Sequence, residues 1–254
     1  MRVATPLTIC AALCAVAQIA VPSFGQRIAS ATHSGVAGVE SASKFDLILF
    51  WKESDPTTQE MTGTLRRAVA ERSGRCQLTT VNVRDPDNRA IVERYQVERA
   101  PMPLVLCVAP NGAITGAFVR RLDADAIDDC LVTPAMAAAT KALQEKKIAL
   151  IHVKADPQTP LPAGAAELAS DPTFAGRTAT VEVVLSDPGE SRFIRDMKID
   201  SSVVEGSLLV VFAPPSADVG RFPATVTKDE LAAALHAAGK CCDDPNCKHN
   251  KKGR

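Results

Sequence analysis

The organisation of this chain is clearest in residues 47–58, which read Leu-Ile-Leu-Phe-Trp-Lys-Glu-Ser-Asp-Pro-Thr-Thr. The uninterrupted apolar run from Leu47 to Trp51 is short enough to be a buried central strand. Asp55-Pro56 ends the strand and is a typical helix start. Gly74 is a natural stop for the helix that follows, whose apolar residues recur at helical spacing at Met61, Leu65, Ala68 and Val69.

Further signals follow in the order that completes one layered α/β unit. Leu78 to Val83 predicts a second strand, and Asp85-Pro86 predicts a turn and a short helix. Pro103 to Ala109 predicts a third strand, which Pro110-Asn-Gly112 connects to a fourth. A closing helix is expected to be capped by Asp123. The order βαβαββα predicts one mixed sheet with helices on its faces.

The second half of the chain repeats this order of segments, which predicts an internal duplication. Five segments of the first half have counterparts: Leu49-Phe-Trp51 in Leu150-Ile-His152, Asp55-Pro56 in Asp156-Pro157, Asp85-Pro86 in Asp187-Pro188, Leu104 to Pro110 in Leu208 to Pro214, and the helix near Asp123 in one near Thr227. The alternative is that any two α/β halves look alike at this level of detail. Duplication is the interpretation we prefer.

Six parts are predicted along the chain. The N-terminal and central parts are a signal peptide over 1–25, a flexible leader over 26–43 and a first domain over 44–133. A helical connector over 134–145 leads to a second domain over 146–239, and a cysteine-bearing tail occupies 240–254. The leader is rich in serine, alanine and glycine and shows little periodicity.

The N-terminus is typical of a cleaved secretory signal. Arg2 precedes an apolar run from Leu7 to Val21, and Ser23-Phe-Gly25 offers small residues for cleavage. The alternative is a retained membrane anchor, and no other stretch is long and apolar enough to span a bilayer. We therefore expect a periplasmic or extracellular protein without a stable membrane span after signal cleavage. Six of the eight cysteines would then lie in a compartment where disulfides persist.

The overall charge excludes one class of partner. The chain has 29 basic and 29 acidic residues, so its formal net charge is zero. No global field therefore attracts nucleic acid or an anionic membrane. The choice of partner must come from local surfaces.

The first half resembles the thioredoxin family in two places. In that family, a strand ending in tryptophan is followed by a Cys-x-x-Cys helix start, and a cis-proline later precedes a strand. Phe50-Trp51 occupies the first place, and Pro103 through Gly112 looks like the family's proline, strand and turn. The resemblance covers residues 44–133 well and the second half in outline. It implies two tandem thioredoxin-like domains of the α/β class, each a mixed sheet flanked by helices.

The resemblance breaks where the family carries out its chemistry. Redox activity needs a thiolate of low pKa at a helix N-terminus and a second thiol three residues away. Asp55 and Thr58 stand where the two sulfurs would be, and neither side chain can form a disulfide or attack one. We interpret them as a helix cap and a first-turn residue, and we expect no catalytic residue at this site. The prediction therefore leans away from an enzyme.

A binding role rests on the segment Ala100-Pro-Met-Pro103. Each proline forces the residue before it into an extended conformation, and a cis Met102–Pro103 bond would expose the backbone edge of the loop. In thioredoxin-like proteins this edge contacts extended peptides, so the resemblance implies that an extracytoplasmic protein or peptide binds here. The alternative is a loop that shapes the turn and binds nothing. The implied binding residues are Trp51, Asp55, Thr58, Met102 and Pro103.

The remaining cysteines and histidines of the two domains have structural interpretations. Cys107 in a predicted strand and Cys130 on the apolar face of a helix are expected to be inert core thiols. The sequence does not assign a disulfide among these two and Cys76. His152, aligned with Trp51, and His236 are lone histidines, which are more often structural than catalytic. No cofactor is expected in either domain.

The C-terminal tail is the one candidate for metal or redox chemistry. Cys241, Cys242, Cys247 and His249 fall within nine positions and could bind a soft metal such as Zn(II) or Cu(I). A local or intermolecular disulfide explains the same residues. A third interpretation is thiol-disulfide exchange with a substrate that the domains hold.

Overall fold

The structure is a computed structural model that describes residues 44–200 and 206–239. The chain divides into two compact units, the first ending at Val132 and the second beginning at Thr133. The predictions of a signal peptide, a flexible leader and a cysteine-bearing tail lie outside the described residues. No helix within the described ranges has the length and apolar character needed to cross a membrane.

The first unit has the predicted βαβαββα order. Its elements are β1 (Phe45–Trp51), α1 (Pro56–Glu71), β2 (Cys76–Asn82), α2 (Arg89–Tyr95), β3 (Leu104–Val108), β4 (Ile114–Val119) and α3 (Asp125–Cys130). The strand order is β2-β1-β3-β4, with β1 and β2 parallel and the other pairs antiparallel. Helix α3 begins two residues after Asp123, whose carboxylate accepts a hydrogen bond from the Asp125 amide at 3.2 Å.

The second unit repeats this sheet and adds a helix before it. Its elements are α4 (Pro134–Gln144), β5 (Ile148–Lys154), α5 (Ala163–Ser170), β6 (Thr178–Val184), α6 (Ser191–Asp196), β7 (Ser207–Ala213), β8 (Ala217–Pro223) and α7 (Lys228–Gly239). The strand order β6-β5-β7-β8 is that of the first unit. Thr227 and Glu230 form a capping box at the start of α7. The predicted fold class, two α/β domains with mixed sheets flanked by helices, is confirmed.

Small irregularities recur at matching positions in the two units. Asp85 and Asp187 each cap a short 3-10 turn through a side-chain hydrogen bond. A left-handed residue follows each of the next helices, Gln96 directly after α2 and Lys198 two residues after the end of α6, both at φ 53°. The third strand of each sheet has a bulge, between Cys107 and Val108 in β3 and at the matching place in β7. These repeated details show that the two halves share one fold.

The strand register corrects the alignment of His152 with Trp51. Phe50 pairs with Leu104, and Val153 pairs with Leu208, the counterpart of Leu104. Lys154 therefore corresponds to Trp51, and His152 corresponds to Leu49. A two-residue shift leaves the same side chains facing the same side of a strand, so the apolar pattern alone does not detect it.

Each sheet of the two units is covered on both faces. In the first unit, Leu47, Leu49 and Cys107 pack with α1 and α3 on one face. Ile48 and Phe50 pack on the opposite face with Val92 of α2. This division decides which side of the sheet each candidate site residue occupies.

The segment 134–145, expected to be a connector, belongs to the second unit. Ala135, Ala139 and Ala142 of α4 pack in the core of the second sheet with Ala149 of β5. The Ala135 amide also donates a hydrogen bond to the buried Glu190 carboxylate at 2.8 Å. Helix α4 is therefore the first helix of the second domain, and the first domain ends one residue earlier than expected.

Candidate functional site

The tip of α1 is a helix cap made from an acid and a hydroxyl residue. The Asp55 carboxylate accepts a hydrogen bond from the Thr58 amide at 2.7 Å, and this bond holds the pKa of Asp55 below its usual value. Thr58 is buried, and its carbonyl accepts a hydrogen bond from the Thr62 hydroxyl at 2.6 Å. Both residues have the capping and first-turn roles that the sequence predicts.

The three cysteines of the described ranges lie in the core and away from this tip. Cys76 begins β2, Cys107 lies in β3 and Cys130 ends α3, and all three are buried cysteines in the reduced state. Burial raises the pKa of the Cys76 thiol. A hydrogen bond with Cys130, together with burial, raises the pKa of the Cys107 thiol. Raised pKa values keep these two sulfurs protonated and therefore poor nucleophiles at neutral pH.

Trp51 and Pro103 lie at the same edge of the first sheet. The last paired positions of β1 and β3 are Phe50 and Leu104, so the next position places Trp51 beside Pro103. The Met102–Pro103 bond is cis, as the resemblance to the thioredoxin family implies. Pro103 is buried and Trp51 is half-buried. The tip of α1 follows Trp51 at this same edge.

Met102 does not share a face with Trp51. The indole of Trp51 packs on the core that α1 and α3 cover. The side chain of Met102 packs on the opposite core, near Tyr95 of α2. The predicted binding residues therefore divide between the two faces of the sheet.

A groove runs between α1 and the segment that follows β4. It has a volume of about 320 Å³. The Arg120 amide donates a hydrogen bond to the Pro103 carbonyl at 2.8 Å, which joins one wall of the groove to the Pro103 edge. The lining residues are Thr57, Glu60, Met61 and Thr64 from α1 and residues 120–124 after β4.

The groove is lined mostly by polar atoms, with charged side chains on both rims and little apolar surface at its floor. Met61 is buried, and the half-buried Leu122 packs on the same core as Trp51. Arg120 and Arg121 are exposed on one rim, and Glu60 is exposed on the other. Within the described part of the chain, neither guanidinium takes part in an ion pair. This arrangement can hold a chain segment that has both apolar and charged side chains.

None of the residues that line this groove is among the binding residues predicted from the sequence. The adjacent arginines directly after a predicted strand were the available signal. Their position opposite Glu60 and Thr64 depends on how α1 docks on the sheet. Spacing along the chain does not reveal such a contact.

Two contacts hold the loop between β1 and α1. The Lys52 ammonium donates a hydrogen bond to the Glu98 carbonyl at 3.4 Å, in the segment that leads to Pro103. The Glu53 carboxylate pairs with Arg84 at 2.8 Å. The α1 tip is thus attached on both sides to the loops beside it.

The corresponding edge of the second unit carries different chemistry. Lys154, at the position of Trp51, is buried and pairs with Glu182 at 3.1 Å. His152 is fully buried, and neither ring nitrogen has a hydrogen-bond partner within the described residues. Residues 155–162 separate β5 from the eight-residue helix α5. In the first unit, residues 52–55 separate β1 from α1, so the loop at this edge is longer in the second unit.

The two sheets share one topology, β2-β1-β3-β4 in the first unit and β6-β5-β7-β8 in the second. In each unit, the first two strands are parallel and are joined by a helix, and the third strand is antiparallel to the first. In the first unit, a cis-proline precedes that third strand, at the same edge as the helix tip. Both units have the thioredoxin-like fold. The fold assignment rests on this topology. In this fold, Trp51, the α1 tip and Pro103 lie at the same edge of the first sheet.

Comparison with known proteins adds likenesses of fold. No family model matches the sequence, and no curated protein gives a significant match. Among solved structures, the germline-specific thioredoxin Deadhead of Drosophila melanogaster is 18% identical over 35% of this chain and 81% of its own, with a TM-score of 0.29. The N-terminal domain of the alkylhydroperoxide reductase AhpF of Enterococcus faecalis is 17% identical over 76% of this chain and 90% of its own, with a TM-score of 0.28.

A further structural likeness is to human ERp44. That protein is 10% identical over 84% of this chain and 57% of its own, with a TM-score of 0.35. This chain thus spans little more than half the length of the ERp44 structure.

The thioredoxin-like domains described above hold no group of three or more potential metal ligands within residues 44–200 and 206–239. The four candidate ligands of the tail, Cys241, Cys242, Cys247 and His249, lie outside these ranges.

Proposed function

We propose that this chain is exported and that its first thioredoxin-like domain binds an extracytoplasmic protein or peptide without dithiol catalysis. One observation carries the proposal. The groove beside Pro103 adjoins a helix tip that holds Asp55 and Thr58 in place of sulfur. The domain keeps a surface suited to binding, and the tip of α1 lacks the sulfur atoms that exchange disulfides in the thioredoxin family.

The chemistry of the α1 tip supports the noncatalytic part of the proposal. A disulfide exchange begins with a thiolate that attacks a sulfur, and a carboxylate does not perform this step. The Asp55 oxygen is already engaged by the Thr58 amide. This tip therefore stabilises α1, and neither Asp55 nor Thr58 belongs to the lining of the groove.

The lining of the groove supports a polypeptide ligand. Met61 and Leu122 offer apolar contact, and Thr57 and Thr64 offer hydroxyl groups. The charged rims can pair with side chains of either sign. A volume of about 320 Å³ lies at the lower end of the range that binds small molecules, so it accommodates a few side chains of an extended segment.

Filling the groove provides the test. Full-length mature protein is titrated with a library of fluorescent peptides, and binding is measured by anisotropy. The exchange Thr57→Trp places an indole in the groove and is expected to weaken binding at least tenfold. The matched control is Thr80→Trp, at an exposed position of edge strand β2, which is expected to bind as the wild type does.

Two outcomes would contradict the proposed binding role. One is a wild-type protein that binds no peptide of the library. The other is equal affinity of the Thr57→Trp variant and the wild type. Fractionation of the source cells tests export separately, because a cytoplasmic full-length protein that retains residues 1–25 is incompatible with it.

The tail supplies the alternative function, because three thiols and an imidazole cluster at Cys241, Cys242, Cys247 and His249. Thiol-disulfide exchange by these sulfurs predicts insulin reduction by the wild type and loss of that activity when residues 240–254 are deleted. Soft-metal binding predicts stoichiometric Zn(II) or Cu(I) uptake that the same deletion abolishes. Equal behaviour of both proteins in both assays excludes a role of the tail in either chemistry.

A further inference from the structure

Two cysteines of the first domain meet in its core although 23 positions separate them. Cys107 lies in the middle of β3, and Cys130 is the last residue of α3. The Cys107 thiol donates a hydrogen bond to the Cys130 carbonyl at 3.7 Å. The Cys130 thiol donates a hydrogen bond within α3, to the Ala126 carbonyl at 3.4 Å.

Gly116 of β4 makes the space for this pair. Gly116 is the cross-strand partner of Cys107. A Cβ at residue 116 would collide with the Cys130 sulfur and would lie 3.7 Å from the Cys107 Cβ. The Cys130 sulfur therefore points into the gap beside Cys107 that the missing side chain leaves open.

The third cysteine of the domain is not a partner for Cys107. Cys76 begins β2, and β1 lies between β2 and β3 in the sheet. Two strand spacings separate the backbones of Cys76 and Cys107 by roughly 9 Å, beyond the reach of a disulfide. The Cys76 thiol instead donates to the Arg72 carbonyl at 3.7 Å.

We propose that Cys107 and Cys130 form an intramolecular disulfide that joins β3 to α3. To form the bond, the Cys107 thiol gives up its hydrogen bond to the Cys130 carbonyl, and the Cys130 thiol gives up its hydrogen bond to the Ala126 carbonyl. Gly116 presents no side chain in the space beside the two sulfurs. This bond is independent of peptide binding but rests on the proposed export, because disulfides persist outside the cytoplasm. The proposal assigns a covalent bond to a pair that the sequence left without an assignment.

The oxidant for this bond is a small-molecule or protein disulfide. One protein thiol loses its proton and attacks a sulfur of that disulfide, whose S–S bond breaks and releases one thiol. The second protein thiolate then attacks the mixed disulfide and releases the other thiol. In total, two protein thiols lose two protons and two electrons, and one disulfide of the oxidant becomes two thiols.

The burial of both sulfurs determines when the bond forms. Cys107 and Cys130 are both buried in the folded domain, where an oxidant does not reach them. The exchange therefore takes place during folding or when α3 detaches locally from the sheet. Once formed, the bond is shielded from reductants for the same reason.

Peptide mapping of the full-length mature protein tests the assignment directly. The protein is refolded in a mixture of reduced and oxidised glutathione, acid-quenched, alkylated while denatured and digested with trypsin. Trypsin separates the three cysteines into peptides 76–84, 100–120 and 122–141. The expected result is a crosslink between 100–120 and 122–141, two hydrogens lighter than their sum, with Cys76 alkylated. Alkylation of both Cys107 and Cys130 would overturn the proposal.

A thermal measurement provides the independent arm. In a full-length background with Cys241, Cys242 and Cys247 changed to Ser, reduction is expected to lower the unfolding midpoint of the first domain by roughly 5 °C or more. The exchange Cys130→Ala should abolish this difference, and the matched control Cys76→Ala should keep it. A difference that survives in Cys130→Ala contradicts the assignment. If Cys130→Ala does not fold, the peptide map decides alone.

Discussion

His152 shows what one buried side chain does to the stability of a domain. Its ring lies in the core of the second sheet, without a hydrogen-bond partner in the described ranges. Burial, and to a smaller extent the charge of Lys154, lowers the pKa of His152, while Glu182 acts in the opposite direction. The unfolded chain therefore binds this proton more readily than the folded one below about pH 6.5.

We expect the second domain to lose stability as the pH falls below about 6.5, because His152 binds a proton in the unfolded state more readily than in the folded state. Replacing His152→Leu removes both this term and an unsatisfied polar group, and it should raise the free energy of unfolding by about 1 kcal/mol at pH 7. The measurement is urea denaturation, followed by circular dichroism, from pH 7.5 to 5.

The exposed His236 supplies the control for this experiment, through the same exchange to leucine. Leucine is also the residue that the first domain has at the position matching 152, so the fold accepts it there. An unchanged dependence of stability on pH in His152→Leu would refute the role given to this imidazole.

Between elements, a bidentate ion pair of Arg72 and Asp128 joins the C-terminal end of α1 to α3. The Arg72 guanidinium donates to both oxygens of Asp128, at 3.0 Å through Nε and 2.6 Å through Nη2. Arg75 adds a hydrogen bond to the Leu131 carbonyl at 3.1 Å. These contacts hold α3 against the sheet next to the Cys107–Cys130 pair.

The exchange Arg72→Lys is expected to lower the free energy of unfolding of the first domain by about 1 kcal/mol, since lysine cannot donate in a planar fork. The figure is modest because Asp128 is partly exposed. Trp51 is the single tryptophan, so its fluorescence reports on this domain during urea denaturation.

A matched control exists on α2, where exposed Arg89 pairs with Glu93. The exchange Arg89→Lys should change stability by less than about 0.5 kcal/mol. Equal effects of the two exchanges would mean that the fork between α1 and α3 is no stronger than a surface pair.

Two exchanges at the tip of α1 would supply the pair of thiols that the thioredoxin family has at this position. The double exchange Asp55→Cys and Thr58→Cys places two thiols three residues apart at a helix N-terminus, where the helix field favours a thiolate. We expect the variant to form a disulfide at this tip and to catalyse insulin reduction, which the tail-deleted protein without the exchange does not do.

The single exchange Thr58→Cys is the control, because it lacks the second thiol that resolves a mixed disulfide. Both variants are assayed after deletion of residues 240–254, so that the tail sulfurs do not contribute. A double variant that folds but does not exceed the single variant in activity would show that more than the two sulfurs is missing.

For the whole molecule, two domains of one fold carry two different edges. The first has a groove beside its proline loop, whereas the second buries a lysine and a histidine where the first has Trp51 and Leu49. A shared fold thus carries different side chains at the same edge of its two domains. Function in this fold depends on the side chains at that edge.

Charge sets a further expectation for the intact protein. A formal net charge of zero provides no long-range attraction to polyanions. We expect no binding to double-stranded DNA or to anionic vesicles at physiological salt, as measured by anisotropy and by flotation. Tight, salt-dependent binding would reveal a local basic surface stronger than the overall balance indicates.

The sequence predicted most of the helices and strands of the fold, but it predicted fewer of the residues that form the candidate site. The apolar run ending at Trp51, the Asp55 cap and the cis bond at Pro103 all appear as expected. Arg120 and Arg121 were not recognised as groove residues, since their role depends on the docking of α1. Met102 was expected near Trp51 and lies on the other face of the sheet.

The amino-acid sequence by itself determined the order of strands and helices, their repetition and the absence of sulfur at the α1 tip. These properties follow from periodicity, caps and turns, which act over a few neighbouring residues. The tertiary structure alone decided that Lys154 matches Trp51, that α4 belongs to the second domain, that a groove adjoins Pro103 and that Cys107 meets Cys130. Strand register and helix docking depend on contacts between residues far apart in the chain, and local patterns do not specify such contacts.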